Sequence, residues 1–360
     1  MKLALQVPIN SVSFGNISIA LLREMHKAGL APCVFPIGNV DLSTQKVDKE
    51  FGGWLSQCIN RAVSEHSRKT PIFKLWHLNG GLESYSERQV LLTFYETDNP
   101  TREELNVVRN NAHVFFSSEE TVNIFKNFGC ENVSYLPLGF DGANFKRTEK
   151  NYFADGRIVG GVVGKCELLR KRHEKVIKTW VKKFGGNSKH CLQCAIWNPF
   201  MKPEDNSMLV NKIMDGKRVF NVQFVPFMTT NEIYNDYLNS LDYVIGLGTE
   251  NWGLPEFHSV AMGKHGIVLN AGGYKGWANN ENCVLINPSS KLLAHDGMFF
   301  HKGAPYNQGN VWDFSEDDLL AGLDTVIQRV EANKINQAGL KLQEEFTWAK
   351  TLEKILKTLS

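Results

Sequence analysis

A chain of 360 residues with 42% hydrophobic and 22% charged residues is too long for one ordinary core and too apolar for disorder, so two domains are expected. Its formal charge of +2 permits an anionic ligand without demanding nucleic acid. Seven cysteines without regular spacing argue against a disulfide framework and for a reducing, cytoplasmic setting.

From the start, MKLALQVPINS has too short an apolar part for a secretory signal. No later run reaches the roughly 18 apolar residues that suggest a membrane span. Leu3 to Val7 reads as a first strand, followed by a polar loop and a helix with Ile17, Leu21, Leu22 and Met25 on one face. Cys33 to Pro36, Phe73 to His77, Val90 to Phe94 and His113 to Phe116 continue as short strands. The polar stretch 141–156, DGANFKRTEKNYFADG, is the expected linker.

A second series then begins. Arg157 to Val163 is a strand and Lys171 to Phe184 a helix whose apolar face holds Val176, Ile177, Trp180, Val181 and Phe184. Its lysines 175, 178, 182 and 183 suit a solvated face better than a polyanion site. Cys191 to Ile196, Val219 to Val225 and Leu241 to Leu247 follow as strands. The lone Cys191-Leu192-Gln193-Cys194 has no second pair to complete a zinc site, so buried thiols are expected. The last residues form an amphipathic helix. Strands alternating with helices imply α/β architecture: two doubly wound Rossmann-like domains, with a ligand cleft at the carboxyl ends of the strands.

Residues 249–270, TENWGLPEFHSVAMGKHGIVLN, leave one apolar strand and return to another through Pro255 and a helix from about Glu256 to Met262. Proline fits the first helical position, where its missing N–H costs nothing. Gly253 lets the backbone approach a bound group, and the helix N-terminus suits an anion or sugar hydroxyls. Glu250 supplies a carboxylate able to accept from two hydroxyls. An ordinary turn with Glu250 in solvent fits the spacing equally well.

This segment resembles the signature of the family 4 (group 1) retaining glycosyltransferases of the GT-B fold, matched in order by Glu250, Trp252, Gly253, Leu254, Pro255, Ala261, Met262, Gly263 and Val268. Pro137-Leu138-Gly139-Phe140-Asp141 with Phe145 is similar to the family's segment at the end of the first domain. Gly164-Lys165 with Arg170-Lys171-Arg172-His173 is similar to its phosphate-contacting strand end, and Ala271-Gly272-Gly273 to its later glycine turn. Phe346-Thr347-Trp348 resembles the start of a terminal helix that crosses back to the first domain. The resemblance therefore implies an acceptor-side domain at 1–150, a nucleotide-sugar donor domain at 151–340, and a returning helix at 341–360.

It also implies roles. Glu250 would bind hydroxyls of the donor sugar, and the backbone at Trp252, Gly253 and Leu254 would face sugar and diphosphate. Lys165 and Lys171, with Arg170 able to replace either, would neutralise the diphosphate as it leaves. Gly15 would give phosphates or acceptor close access to the backbone. Three positions depart from the pattern. The second Glu, eight positions after Glu250, is His258, which cannot hold two ribose hydroxyls as a carboxylate does. Lys165 stands where Arg is common. The first domain's histidine has no clear match; Glu96 is preferred there over Asp98, with His77 a rival.

No Asp-x-Asp pair occurs, so lysines and helix dipoles rather than a metal would hold the diphosphate, and no cofactor is expected beyond a nucleotide-diphosphate sugar as co-substrate. Neither a phosphate-loop nor a GxGxxG fingerprint is present. The expected reaction is retaining transfer of a sugar to an acceptor hydroxyl on a glycan, a lipid or a hydroxymethylated base in DNA. The lost second Glu leaves open a GT-B protein that binds a nucleotide or glycan without turnover.

Overall fold

Apolar runs bounded by polar turns form parallel strands in this chain, because helices on both faces of a parallel sheet bury both sides of each strand. The computed structural model describes residues 2–150 and 152–360; Met1 and Asn151, the latter inside the expected linker, lie outside the described residues. The chain runs β1 (Ala4–Pro8), α1 (Ser13–Lys27), β2 (Cys33–Ile37), α2 (Lys49–Ser64), β3 (Ile72–Leu75) and β4 (Gln89–Thr93). It continues through α3 (Arg102–Arg109), β5 (His113–Phe116), α4 (Glu119–Asn127) and β6 (Val133–Tyr135). Next come β7 (Ile158–Val163), α5 (His173–Phe184), β8 (His190–Ala195), α6 (Pro203–Ile213), β9 (Val222–Phe224) and α7 (Asn231–Ser240). Then follow β10 (Tyr243–Gly246), α8 (Leu254–Ala261), β11 (His265–Leu269), β12 (Cys283–Ile286), β13 (Pro288–Leu293) and β14 (Asn310–Phe314). The chain closes with α9 (Glu316–Ala332), α10 (Gln337–Leu340), α11 (Leu342–Glu345) and α12 (Trp348–Leu359).

Two units result. The first comprises Met1–Asp141, Phe300–Gly309 and Phe346–Ser360; the second comprises Gly142–Phe299 and Asn310–Glu345. The first unit's parallel sheet has the order β2-β1-β3-β4-β5-β6, which reverses direction between β1 and β3. Its central strands are buried along their whole length, as in QVLLT of β4. Helix α12 docks on this unit: Phe140 N–H donates to the Phe346 carbonyl at 2.8 Å, and Thr351 Oγ1 to the Pro137 carbonyl at 2.8 Å. The Pro137–Phe140 segment thus serves to seat that helix.

The second unit's parallel sheet has the order β12-β11-β10-β7-β8-β9, with its reversal between β7 and β10. A separate antiparallel pair, β13-β14, stands apart from it. Sequence patterning does not mark that pair, nor β6 and β12, and the expected strand Val219 to Val225 shrinks to the three residues of the edge strand β9. The helix expected from Lys171 begins at His173, because Arg172 adopts a left-handed backbone with φ 54° and leaves Arg170 and Lys171 on the preceding loop.

Between β13 and β14 the chain enters the first unit, where Phe300–Gly309 is fixed by one carboxylate. Glu104 closes a capping box on α3, accepting from Thr101 N–H at 2.8 Å, and its other oxygen accepts from Asn307 N–H at 2.6 Å. Thr101 Oγ1 donates to the Pro305 carbonyl at 2.6 Å. Glu104→Ala would orphan two backbone donors and is expected to cost about 2–3 kcal/mol. Thermal unfolding should drop by several degrees, with faster proteolytic cleavage within residues 300–309. An unchanged melting temperature would show that the segment is held by other contacts.

Candidate functional site

In an open α/β sheet, ligands bind at the carboxyl ends of the strands, where the strand order reverses. In the second unit that places the site after β7 and β10, whose carboxyl ends carry Lys165 and Glu250. The loop after β7 holds Lys165, Glu167, Arg170 and Lys171 before α5 begins. The loop after β10 is stitched to it: Thr249 N–H donates to the Arg170 carbonyl at 3.0 Å, and Arg170 Nη1 to the Thr249 carbonyl at 3.0 Å.

The charged side chains close into one network. Glu250 Oε1 lies 2.5 Å from Lys171 Nζ and 3.0 Å from Arg170 Nη1. Glu167 accepts from Arg170 Nε at 2.7 Å through one oxygen and lies 3.0 Å from Lys165 Nζ through the other. Lys165 Nζ also sits over the Phe299 ring, 4.2 Å from its centroid, and 5.2 Å from that of Phe200. Burial alone would push the Glu250 carboxyl up, but Arg170 and then Lys171 outweigh it and hold it below its ordinary value. The same contest leaves Glu167 well below the carboxylate range, with Arg170 the chief opponent of burial. Lys171 is buried, which lowers its pKa, yet Glu250 raises it above the ordinary lysine value. His173 is buried beside Lys171 and is pushed down to about 3, so its imidazole is neutral. Three cations thus face two ionised carboxylates, with a third acid, Glu256, also acting on Lys171.

Gly253 makes the turn into α8. It caps the helix with φ 76°, and a Cβ there would lie 2.4 Å from a Tyr274 ring carbon. Leu254 is the first helical residue and Pro255 the second, one position later than expected. The N-termini of α5 and α8 both open toward the carboxyl edge of the sheet, beside the charged network. The glycine turn at 271–273 also has a physical basis. A Cβ on Gly273 would fall 2.0 Å from the Asn251 carbonyl oxygen, and Gly273 N–H donates to the Glu250 carbonyl at 2.7 Å.

Not every expected side chain faces this site. Trp252 is 2% exposed, packs edge-on to Phe257 at 5.2 Å, and its carbonyl accepts from Trp277 Nε1 at 2.8 Å. Its indole belongs to the core, leaving only backbone for a ligand. His258 is buried and stacks on Phe145 with ring centroids 4.3 Å apart. In the first unit, Gly15 is required by the chain itself, since a Cβ would meet the Asn10 carbonyl oxygen at 2.0 Å. Glu96 lies half-buried on the loop after β4. The basic run from Lys165 to Lys183 does not form a free cationic stripe. Arg172 and Lys175 pair with Asp313, Lys178 with Glu174 and Asp215, Lys182 with Glu316, and Lys183 with Asp324. Cys191 and Cys194 are free and buried.

Two carboxylates escaped the sequence reading. Glu167 was visible as an acid flanked by Lys165 and Arg170. Glu256 falls on the helix after Pro255 in the sequence, but its burial does not show there. It is 2% exposed beneath Gly246, beside the Tyr274 hydroxyl, and its Oε2 has no hydrogen-bond partner among the described residues. Burial raises it to about 7, with Lys171 opposing and Glu250 reinforcing the shift. An unfolded glutamate releases its proton near 4.5, so this group's contribution to stability falls as pH rises from about 4.5 to 7 and stays low above that. Glu256→Gln removes the dependence. Its melting temperature should exceed that of the parent by on the order of 5 °C at pH 8 and match it near pH 5. A pH-independent difference would contradict the raised value.

No family model and no curated protein matches the chain. Solved structures do. HepE from Anabaena, in complex with UDP and glucose, aligns at a TM-score of 0.67 and 14% identity over 100% of this chain and 99% of that one. Sucrose-phosphate synthase from Thermosynechococcus elongatus aligns at 0.65 and 12% identity, over 99% and 97%. WaaG, a glycosyltransferase involved in lipopolysaccharide biosynthesis, aligns at 0.62 and 11% identity, over 99% of both chains. These are proteins of the GT-B fold, and this chain shares that fold.

Proposed function

We propose that the chain is a retaining glycosyltransferase of the family 4 type, moving a sugar from a nucleotide-diphosphate donor to an acceptor hydroxyl. The observation that carries the reading is the Glu250–Lys171–Arg170 network at the strand reversal of the second unit. The same fold in HepE is seen with UDP-glucose, which supports a donor of this class. Lys171 has three ammonium donors and gives one to Glu250, leaving two for phosphate oxygens. Glu250 retains lone pairs for the hydroxyls of the sugar. Lys165, Lys171, Arg170 and the two helix N-termini, rather than a divalent ion, oppose the charge of the diphosphate.

In the transfer, the bond from the anomeric carbon to the diphosphate breaks and its electron pair goes to the departing phosphate oxygen. The acceptor oxygen bonds to that carbon on the same face, and its proton passes to the leaving phosphate. Positive groups fixed beside the phosphate stabilise this charge more in the transition state than in the ground state.

The pairing of the α5 lysines with carboxylates favours a saccharide or lipid acceptor over modified DNA, because a duplex needs uncompensated cations along its backbone. A second reading, nucleotide or glycan binding without turnover, is favoured by one observation: the second motif carboxylate is replaced by a buried histidine that stacks on Phe145. The test is nucleotide release from a panel of UDP-, GDP-, ADP- and CMP-linked sugars, with binding of each nucleotide measured alongside. Consumption of one diphosphate donor, even slowly to water, is expected. Binding without any consumption in the presence of acceptors would favour the second reading, and absence of both would overturn the donor site.

A further inference from the structure

The first unit carries an aromatic cluster that the donor chemistry does not use. Phe14 opens α1 after β1, Trp76 and His77 follow β3, and Phe94 follows β4. All four therefore gather at the carboxyl edge of the sheet, beside its reversal between β1 and β3. The Phe14 ring lies 4.6 Å from His77, 5.1 Å from Phe94 and 6.3 Å from Trp76, centroid to centroid. Rings in a core of this kind are ordinarily buried, but Phe14, Trp76 and Phe94 are half-buried and His77 is exposed.

The loop beneath Trp76 is built rather than loose. Lys74, 1% exposed within β3, spends its ammonium on the Gly80 and Glu83 carbonyls, 2.6 Å from each. A buried lysine is costly unless its hydrogen bonds are met. Here they anchor the turn beside the indole, where a Cβ on Gly80 would lie 3.3 Å from the Trp76 ring.

The charges around the cluster select its occupant. The loop after β4 carries Glu96 and Asp98 and no Lys or Arg, and the loop after β1 carries no charge. The loop after β3 carries Glu83 and Glu87, and its one Arg, Arg88, donates to the carbonyls of Thr358, Leu359 and Ser360. A phosphate backbone would meet carboxylates there. A neutral sugar would stack the C–H face of its ring on the aromatics and donate hydroxyls to the carboxylates.

We infer that Phe14, Trp76, His77 and Phe94 form a stacking platform for a neutral saccharide, which, on the glycosyltransferase reading above, is the acceptor. The loops around it carry acids and no Lys or Arg other than Arg88. The platform makes the acceptor class a glycan rather than a nucleic acid.

The experiment is saturation-transfer NMR of the full chain against a panel of neutral mono- to tetrasaccharides. Trp76→Ala, Phe14→Ala and Trp76→Phe are measured in parallel, with folding checked by circular dichroism. At least one saccharide should bind, independently of salt. Trp76→Ala should weaken that binding about tenfold, as expected of a central aromatic anchor, and Trp76→Phe should retain most of it. No binding across the panel, binding by both Ala variants as tight as that of the parent, or salt-sensitive binding of a single-stranded oligonucleotide in its place would overturn the platform. If donors are consumed and the Ala variants leave the acceptor KM unchanged, the platform fails while the transferase reading stands. If saccharide binding is lost in Trp76→Ala and no donor is bound or consumed, the platform stands and the transferase reading fails.

Discussion

Nucleotide-diphosphate release by Glu250→Ala is expected to fall by about 100-fold or more, the scale of removing one preorganised polar group from an active site. Glu250 does two jobs at once. Its carboxylate is held ionised by Arg170 and Lys171 against the pull of burial, so it accepts hydrogen bonds throughout the working pH range. It also neutralises two cations that are 7% and 9% exposed. Truncation therefore strands buried charge, which costs about 3–5 kcal/mol when one partner of a buried pair is removed. Loss of activity in the Ala variant must be read beside its melting temperature for that reason. Glu250→Gln separates the two jobs: the amide oxygen still accepts a hydroxyl, while the negative charge is gone. It should lose only about tenfold if hydroxyl recognition dominates. Full activity in a folded Glu250→Ala protein would remove Glu250 from the donor site altogether.

Most residues of this site were legible in the sequence, Glu167 being the exception in the network, but their partnership was not. Glu250, Gly253 and Pro255 announce a strand-to-helix turn, and Lys165 and Lys171 a cationic strand end. The Glu250–Lys171 pair joins residues 79 apart. It exists because β7 and β10 are neighbours, and strand adjacency across a reversal is a tertiary fact that no local pattern encodes. The central strands were readable because burial on both faces makes them continuously apolar, whereas the three-residue edge strand β6 carries too few residues for that signal and the edge strand β9 falls short of the stretch expected for it. The helix period ran α5 back to Lys171 because lysine is a good helix former. The left-handed Arg172 overrides it and frees Arg170 and Lys171 to reach across to Glu250. The excursion of Phe300–Gly309 was invisible for a similar reason: its anchor, Glu104, lies 203 residues from Asn307.

Lys171→Ala is the second large effect, with kcat for donor consumption expected to drop by about 10²–10³-fold and the donor KM changing much less. The ammonium is buried, raised above the ordinary lysine pKa by Glu250, and therefore charged at every pH at which the chain would work. Its value grows as the diphosphate departs, which places the loss in kcat. Lys171→Arg should not rescue it fully, because a planar fork would have to replace a point charge seated 2.5 Å from Glu250 Oε1. A merely structural lysine, one that only holds Glu250 in place, predicts something different. The double variant Lys171→Ala/Glu250→Ala would then be no slower than Glu250→Ala alone, since the function served would already be lost. A lysine that meets the diphosphate itself makes the double variant slower than either single one, its total loss relative to the parent approaching the product of the two single losses. The cycle needs only the four proteins and one donor. It decides whether the short Lys171–Glu250 contact is a device for aiming a carboxylate or the meeting point of two groups that each touch the substrate.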